Sequence, residues 1–376
     1  MIKNEGVDVL KKWLLMLTVV MLLASMTTAV SAASLPPTFV TVVMDGKKLW
    51  FPDAQAFIDE NQRTLVPVRF VAEALGAKVG WEAESRSVPI QKETQSIRLT
   101  IGSNIATVNG AEESFDTQAV MQGGRTFVPL RFVSEILGMA VEWDGKTNTV
   151  FLSTAEQMNG KTDPWGRLIR TTDLPKNAAD YPYILADVQN EMYELPYPYA
   201  ATDDRKVSST LYKTDKEYNK ENVDIWLGRL KTFGALWLNV DYRTIDDEWA
   251  KSLFATKLQN SNAELKYIRE YVNWVKSNKI KIEGHLDPEP SMIFYDGFGA
   301  DYIRVKFRIK FVTFNKQERL LYDEWFPKDT PFEKNVWYEG YSDIKMKASI
   351  GGDWGSSLKV SSNASLFFNH TISKVE

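Results

Sequence analysis

Few residue types in this chain could do chemistry. It has no cysteine and two histidines, His285 and His370. Without thiols there can be no disulfide, thiolate metal site, cysteine nucleophile or lipid-modified N-terminal cysteine. Two imidazoles cannot build a site that needs three. Carboxylates are the remaining acid–base groups. Asp287 with Glu289, or Asp296 with Asp323 and Glu324, could flank a cleft as glycoside hydrolysis requires. A chain with 49 acids offers many such pairs, so spacing alone selects none. His285 precedes Leu286-Asp287-Pro288 at the end of a strand, where a lone imidazole reads as a polar surface residue before a catalyst. No nucleophile elbow, zinc-binding helix, phosphate loop or dinucleotide fingerprint occurs.

The most concrete charged feature is Arg304, Lys306, Arg308 and Lys310, on alternate positions of residues 302–314. Ile303, Val305, Phe307, Ile309 and Phe311 take the other positions, so this is the best strand in the chain. Two readings stand for the cations. They bind an anionic polymer such as teichoic acid or polysaccharide phosphate, or they form a solvated sheet face opposite cross-strand acids. Trp226, Trp237, Trp249, Trp274, Trp325, Trp337 and Trp354 are core or a sugar-stacking platform, depending on which are exposed.

The elements that must position these groups follow from length and pattern. A chain of 376 residues allows two or three domains, and 44% hydrophobic residues suffice for real cores. A net charge of −4 gives no reason to expect nucleic acid as a partner, and nothing implies a cofactor. Lys11 and Lys12 precede an apolar run from Trp13 to Ala24, followed by small residues ending Val30-Ser31-Ala32-Ala33. That is the pattern of a secretory signal peptide over 1–32, cleaved after Ala32 or kept as an anchor. The run is short of the roughly 20 apolar residues a bilayer span needs, and no other stretch approaches it. The expected place of the mature chain is therefore outside the cell or in its envelope, with no membrane span after cleavage.

Residues 63–81 read RTLVPVRFVAEALGAKVGW and residues 125–143 read RTFVPLRFVSEILGMAVEW, with twelve of nineteen positions identical. This is a duplicated unit. In each copy a short strand leads to a proline that starts a helix, Pro67 or Pro129. Val68, Val71, Ala72 and Leu75, and in the second copy Leu130, Val133 and Leu137, give one buried helix face. Gly76 and Gly138 end the helices. Strands follow at Val79 with Trp81 and at Val141 with Trp143. Asp45-Gly46 and Asn109-Gly110 are hairpin turns upstream, and Asp53-Ala54-Gln55 matches Asp116-Thr117-Gln118. Arg69 with Glu73 and Arg131 with Glu135 are spaced for ion pairs on an exposed helix face, or for a shared groove. Each unit reads as ββαββ, a short helix on a small antiparallel sheet, and the two should share one core.

The repeated pattern, carried by Arg63, Pro67, Phe70, Gly76 and Trp81 and by Arg125, Pro129, Phe132, Gly138 and Trp143, resembles the copper amine oxidase N-terminal domain, or stalk domain. The resemblance covers roughly 38–153. It implies a module found in secreted and envelope proteins of spore-forming Gram-positive bacteria, often detached from any oxidase. The enzyme in the family's name needs copper on three histidines and a tyrosine-derived quinone, so two histidines exclude that activity here.

Between Ser153 and Pro198 five prolines interleave with aromatics, which reads as an arm (154–198) packed on the next domain or as a proline-rich ligand. From Asn222 the period is helical. Asp246-Asp247-Glu248 opens a second helix. Ser261-x-x-Glu264 is a capping box for a third, with Leu265, Ile268, Val272 and Val275 as its stripe. After Lys281 the period becomes 2. Residues 320–326, 344–348, 360–362 and 365–372 are further strand candidates. Residues 199–376 are thus expected to be α+β, helices on a curved antiparallel sheet, with the cone of nuclear transport factor 2 as a fold analogy. The expected function is a secreted, non-catalytic stalk or docking module (33–153) carrying an extracellular binding domain, with a cell-wall polymer or another envelope protein as partner. The alternative is a secreted hydrolase with its active site in 199–376.

Overall fold

In the computed structural model the sequence pattern turns, among the described residues, into four sheets and a small set of helices, a mixed α+β architecture. The structure describes residues 38–145, 148–154, 160–197, 216–258, 262–296, 299–348 and 354–375. The expected signal segment 1–32 and Ser261 of the capping box lie outside them. Residues Pro36–Glu376 form one compact unit. Among the described residues no helix is long and apolar enough to cross a membrane.

The first matching segment runs strand Thr64–Pro67, helix Val68–Ala74, strand Lys78–Val79. The second runs Arg125–Pro129, Leu130–Ile136, Ala140–Asp144. Each proline closes its strand with extended backbone and caps its helix. Val68, Val71 and Ala72 are buried in one helix, and Leu130 and Val133 in the other. Gly76 and Gly138 follow with φ of +78° and +88°, where a side chain would be strained. The Asp45-Gly46 and Asn109-Gly110 turns close hairpins whose flanking residues pair Met44 with Lys47 and Val108 with Ala111. Both central residues of each turn have positive φ, as a two-residue turn matched to strand twist requires.

The sheets are not private to each segment. Thr64–Pro67 pairs antiparallel with Arg125–Pro129, placing Val66 against Val128. Thr41–Met44 runs parallel to Thr149–Ser153, so a wholly antiparallel arrangement does not hold here. One hydrophobic cluster runs from Val40 to Leu152 and takes residues from both segments.

Beyond the arm, helix Lys220–Trp237 is capped by Asn219, which accepts from the Asn222 amide at 2.9 Å. Asp246 caps helix Asp247–Thr256 by accepting from the Trp249 amide at 2.9 Å. Helix Asn262–Asn278 buries Ile268, Val272 and Val275. These pack on a six-stranded antiparallel sheet dominated by Lys281–Tyr295, Asp301–Thr313 and Trp337–Lys347. Gly234 lets the first helix approach the sheet, because a Cβ there would lie 2.4 Å from Leu286 Cγ. Ile303, Val305, Phe307, Ile309 and Phe311 are all fully buried beneath the helices.

Two strand expectations are corrected. Residues 320–326 form no strand. Leu320 and Leu321 are both buried rather than alternating, and Asp323 ties the segment into a loop by accepting from Ser365 Oγ (2.6 Å), Leu366 N (2.7 Å) and Trp325 N (2.9 Å). The return strand is instead Trp337–Lys347, pairing Ile303 with Ile344. Residues 365–372 are irregular apart from one bridge at His370, and strand Ser373–Lys374 follows them. Conversely, Lys281–Tyr295 continues through Pro288 and Pro290, absorbing them in a register shift between Pro288 and Ile293.

Candidate functional site

Two regions gather polar side chains. The first is an open groove of about 690 Å³ over the sheet shared by the matching segments. Phe57, Ile58 and Asp59 line it from one segment, and Asp116, Thr117 and Gln122 from the other. Thr117 Oγ1 donates to Asp59 Oδ2 at 2.7 Å. Asp59 Oδ1 also accepts the backbone amides of Asn61 (2.9 Å) and Arg63 (2.8 Å), which fixes the groove's lip. The two repeat arginines pair reciprocally across the segments: Arg63 with Asp116, and Arg125 with Asp53. Exposed pairs of this kind stabilise by at most about 1 kcal/mol, so their effect is to set register rather than stability. The matching Asp residues were visible in the sequence, but not that each answers the other copy's arginine. Arg69–Glu73 and Arg131–Glu135 lie at 4.0 and 3.8 Å on exposed helix faces. Phe70 and Phe132 pack partly buried against the shared core, while Trp81 and Trp143 remain exposed. The groove offers side-chain amides and carboxylates to a polar ligand.

The second region is where strand residue Lys48 and nearby Trp50, the arm and the large sheet meet. Lys48 Nζ lies 2.7 Å from Asp287 and 3.9 Å from Glu289, and its amide donates to Asp187 at 2.6 Å. Arg167 donates to both Glu289 oxygens at 3.0 and 2.8 Å, and to both Asp187 oxygens at 3.0 and 2.8 Å. Lys231 Nζ donates to Thr41 Oγ1 at 2.8 Å. The arm therefore packs: Trp165 is buried and donates to Asp224 at 2.6 Å, and Tyr181 and Tyr193 form a small core with Met292.

The structure brings Asp287 and Glu289 together, but on cations. Burial lifts the Asp287 carboxyl, yet Lys48 and Lys231 outweigh it and hold it below the usual range. A general acid needs the opposite shift. Asp296 accepts the Ala300 amide at 3.1 Å in its own turn. Burial lifts Asp323 to about 6 against three donors, and both its oxygens hold loop backbone or Ser365. Glu324 is exposed.

The four strand cations are not presented to solvent as a set. Arg304 is 0% exposed and paired with Asp343 through Nε at 2.7 Å. Lys306 lies 4.5 Å from the Trp50 ring centroid. Arg308 and Lys310 flank the Trp337 ring at 5.0 and 4.7 Å, and Lys310 also meets Glu283 at 2.7 Å. Alternation set which residues share a face; Trp50, the arm and Trp337 cover that face.

His285 is not the surface residue expected. It lies 4.7 Å from the Trp50 ring, and its Nε2 is buried without a hydrogen-bond partner. Burial holds its pKa at about 4, against 6.5 ordinarily. Between those values the unfolded chain takes a proton that the folded chain refuses. Its contribution is therefore complete above pH 6.5 and falls as pH drops towards 4, by up to about 3 kcal/mol. Asp163 and Asp323, both lifted to about 6 by burial, act in the opposite sense. The test is thus a difference. Urea unfolding of wild type and His285→Gln at pH 7.5, 6, 5 and 4 should show the wild type losing ground to the variant across that window; a constant gap refutes it.

Comparison with known proteins bears out the resemblance over the repeated segments. Residues 43–152 match the family model described as copper amine oxidase N-terminal domain. A protein of Brevibacillus choshinensis described as a protease inhibitor is 32% identical over 123 residues, covering 32% of this chain and 37% of that protein. The match thus spans little more than a third of the relative's length. The matched residues contain no histidine, and His285 and His370 cannot complete a three-imidazole copper site, so no step through copper is derived.

Proposed function

We propose that this is a secreted or envelope-associated binding protein without catalytic activity. In this reading residues 1–32 direct export and 33–153 are a duplicated stalk or docking module. Residues 154–198 are the connecting arm, and 199–376 are a binding domain outside the cell. The observation that carries it is the closure of Asp287 and Glu289 by Lys48 and Arg167, which turns the best-placed carboxylate pair into a structural tie. The open polar groove at residues 57–122 supports docking to a wall polymer or an envelope protein. The relative's description, protease inhibitor, also belongs to a class of protein that acts by binding. Helices against one long sheet suit a concave ligand surface of the nuclear transport factor 2 kind, by analogy only.

The test is sedimentation of the purified protein with Gram-positive cell walls. The protein is expected in the pellet, with an Asp59→Ala, Asp116→Ala variant largely in the supernatant. Equal recovery of wild type in the supernatant with and without walls defeats wall docking. Release of soluble reducing ends from the walls would instead favour the hydrolase.

A further inference from the structure

The tryptophans of the second half divide sharply. Trp226 and Trp237 are 1% exposed, and Trp249, Trp274 and Trp337 are half-buried. Trp325 is 55% exposed. Its ring meets that of Phe368, itself 37% exposed, at a centroid distance of 5.4 Å and an angle of 68°. Nothing in the fold gains from leaving two touching aromatic rings in water, since burying them would be favourable.

The pair is also built rather than loose. Each exposed ring is next in sequence to a buried one. Phe326 and Phe367 are 5% and 6% exposed and pack edge to face at 5.3 Å within the aromatic core. Asp323 binds both loops at once, accepting the Trp325 amide on one side and Ser365 Oγ and the Leu366 amide on the other. Two loops from distant parts of the sequence are thereby fixed so that one ring of each points in and the next points out.

We propose that Trp325 and Phe368 form a carbohydrate-stacking site that takes a pyranose ring of a polysaccharide. This rests on the reading that 199–376 binds a ligand outside the cell. Size argues for a sugar. The two rings present about 200 Å² of apolar surface, against the roughly 800 Å² per partner of a stable protein interface. Chemistry agrees: the flat indole face suits the C–H face of a pyranose. The second ring, set at a steep angle, makes a corner that fixes the sugar's orientation. Exposed Glu324 precedes Trp325 in sequence and supplies an acceptor for hydroxyls. Asp323 acts as a positioning residue.

The experiment titrates the full protein with soluble chitohexaose and with cellohexaose by calorimetry, alongside the wall-sedimentation assay. Binding of at least one hexaose is expected. Trp325→Ala and Phe368→Ala should each weaken it at least tenfold with unfolding midpoints within a few degrees of wild type, and Trp325→Phe should stay within about threefold. Asp323→Asn, which keeps both rings but weakens the tie between their loops, should weaken binding. If wild type pellets with walls yet binds neither hexaose, the wall-binding reading stands and the stacking site falls. If Trp325→Ala binds a hexaose as wild type does, the stacking site falls as well.

Discussion

Replacing Arg304 by Met is expected to lower the unfolding free energy by about 3–5 kcal/mol, the range for breaking one side of a buried ion pair. Arg304 donates through Nε and Nη2 to the two oxygens of Asp343 at 2.7 and 2.9 Å, and through Nη1 to the Met192 carbonyl at 2.9 Å. Arg304 and Asp343 are 0% and 1% exposed. Removal leaves Asp343 with Asn369 as its nearest side-chain donor, at 2.6 Å, and a buried negative charge uncompensated. It also frees the arm carbonyl. The effect is the penalty of the orphaned charge, not the net worth of the pair, so the double variant Arg304→Met, Asp343→Leu should recover part of the loss. Urea unfolding of both variants measures this. A loss under 1 kcal/mol in the single variant would mean that Arg304 is solvated, as a free row of strand cations would require.

The second large effect is expected at Arg167. It is 2% exposed and satisfies two buried carboxylates at once, Asp187 within the arm and Glu289 on the sheet. Arg167→Ala removes the paired cation from both, leaving Asp187 with the Lys48 amide and Glu289 with Ser291 and Lys48 at 3.9 Å, and should again lose about 3–5 kcal/mol. Lysine at this position keeps the charge but cannot hold two carboxylates by paired hydrogen bonds, so Arg167→Lys should recover only a minor share. The variant should also loosen the arm locally. Limited proteolysis is expected to cut within residues 168–190 faster than in wild type, before global unfolding. Cleavage at the wild-type rate, with stability within 1 kcal/mol, would remove Arg167 as the tie between arm and sheet.

Both residues bear on how function is read here. Arg304 came forward in the sequence as a ligand-binding cation and Glu289 as a catalytic candidate. The fold uses each to join segments far apart in the chain: Arg304 to the arm and Asp343, Glu289 to Arg167 and Lys48. Of the exposed aromatic pair, Trp325 came forward only as one name among seven tryptophans and Phe368 did not come forward at all.

What the sequence determined by itself is local. Helix stripes such as Val68, Val71, Ala72 or Ile268, Val272, Val275 follow from a period of 3.6, and the strand at Ile303–Phe311 from a period of 2. The turns at Asp45-Gly46 and Asn109-Gly110, and the helix ends at Gly76 and Gly138, follow from the conformations those residues tolerate. The identity between residues 63–81 and 125–143 sufficed to find the family resemblance, read over roughly 38–153 and matched over 43–152. Each is written within a few turns of backbone, where sterics and hydrogen bonding act between neighbours.

Only the tertiary structure decided what covers each face. Periodicity put Arg304, Lys306, Arg308 and Lys310 on one side of a strand, but Trp50, more than 250 residues away, is among the groups laid over that side. The Arg63–Asp116 and Arg125–Asp53 pairs, the parallel strands Thr41–Met44 and Thr149–Ser153, and the Asp323 tie to Ser365 are likewise contacts between distant segments. Which distant segment arrives is settled by the summed packing of whole elements, and no short window of sequence contains that sum.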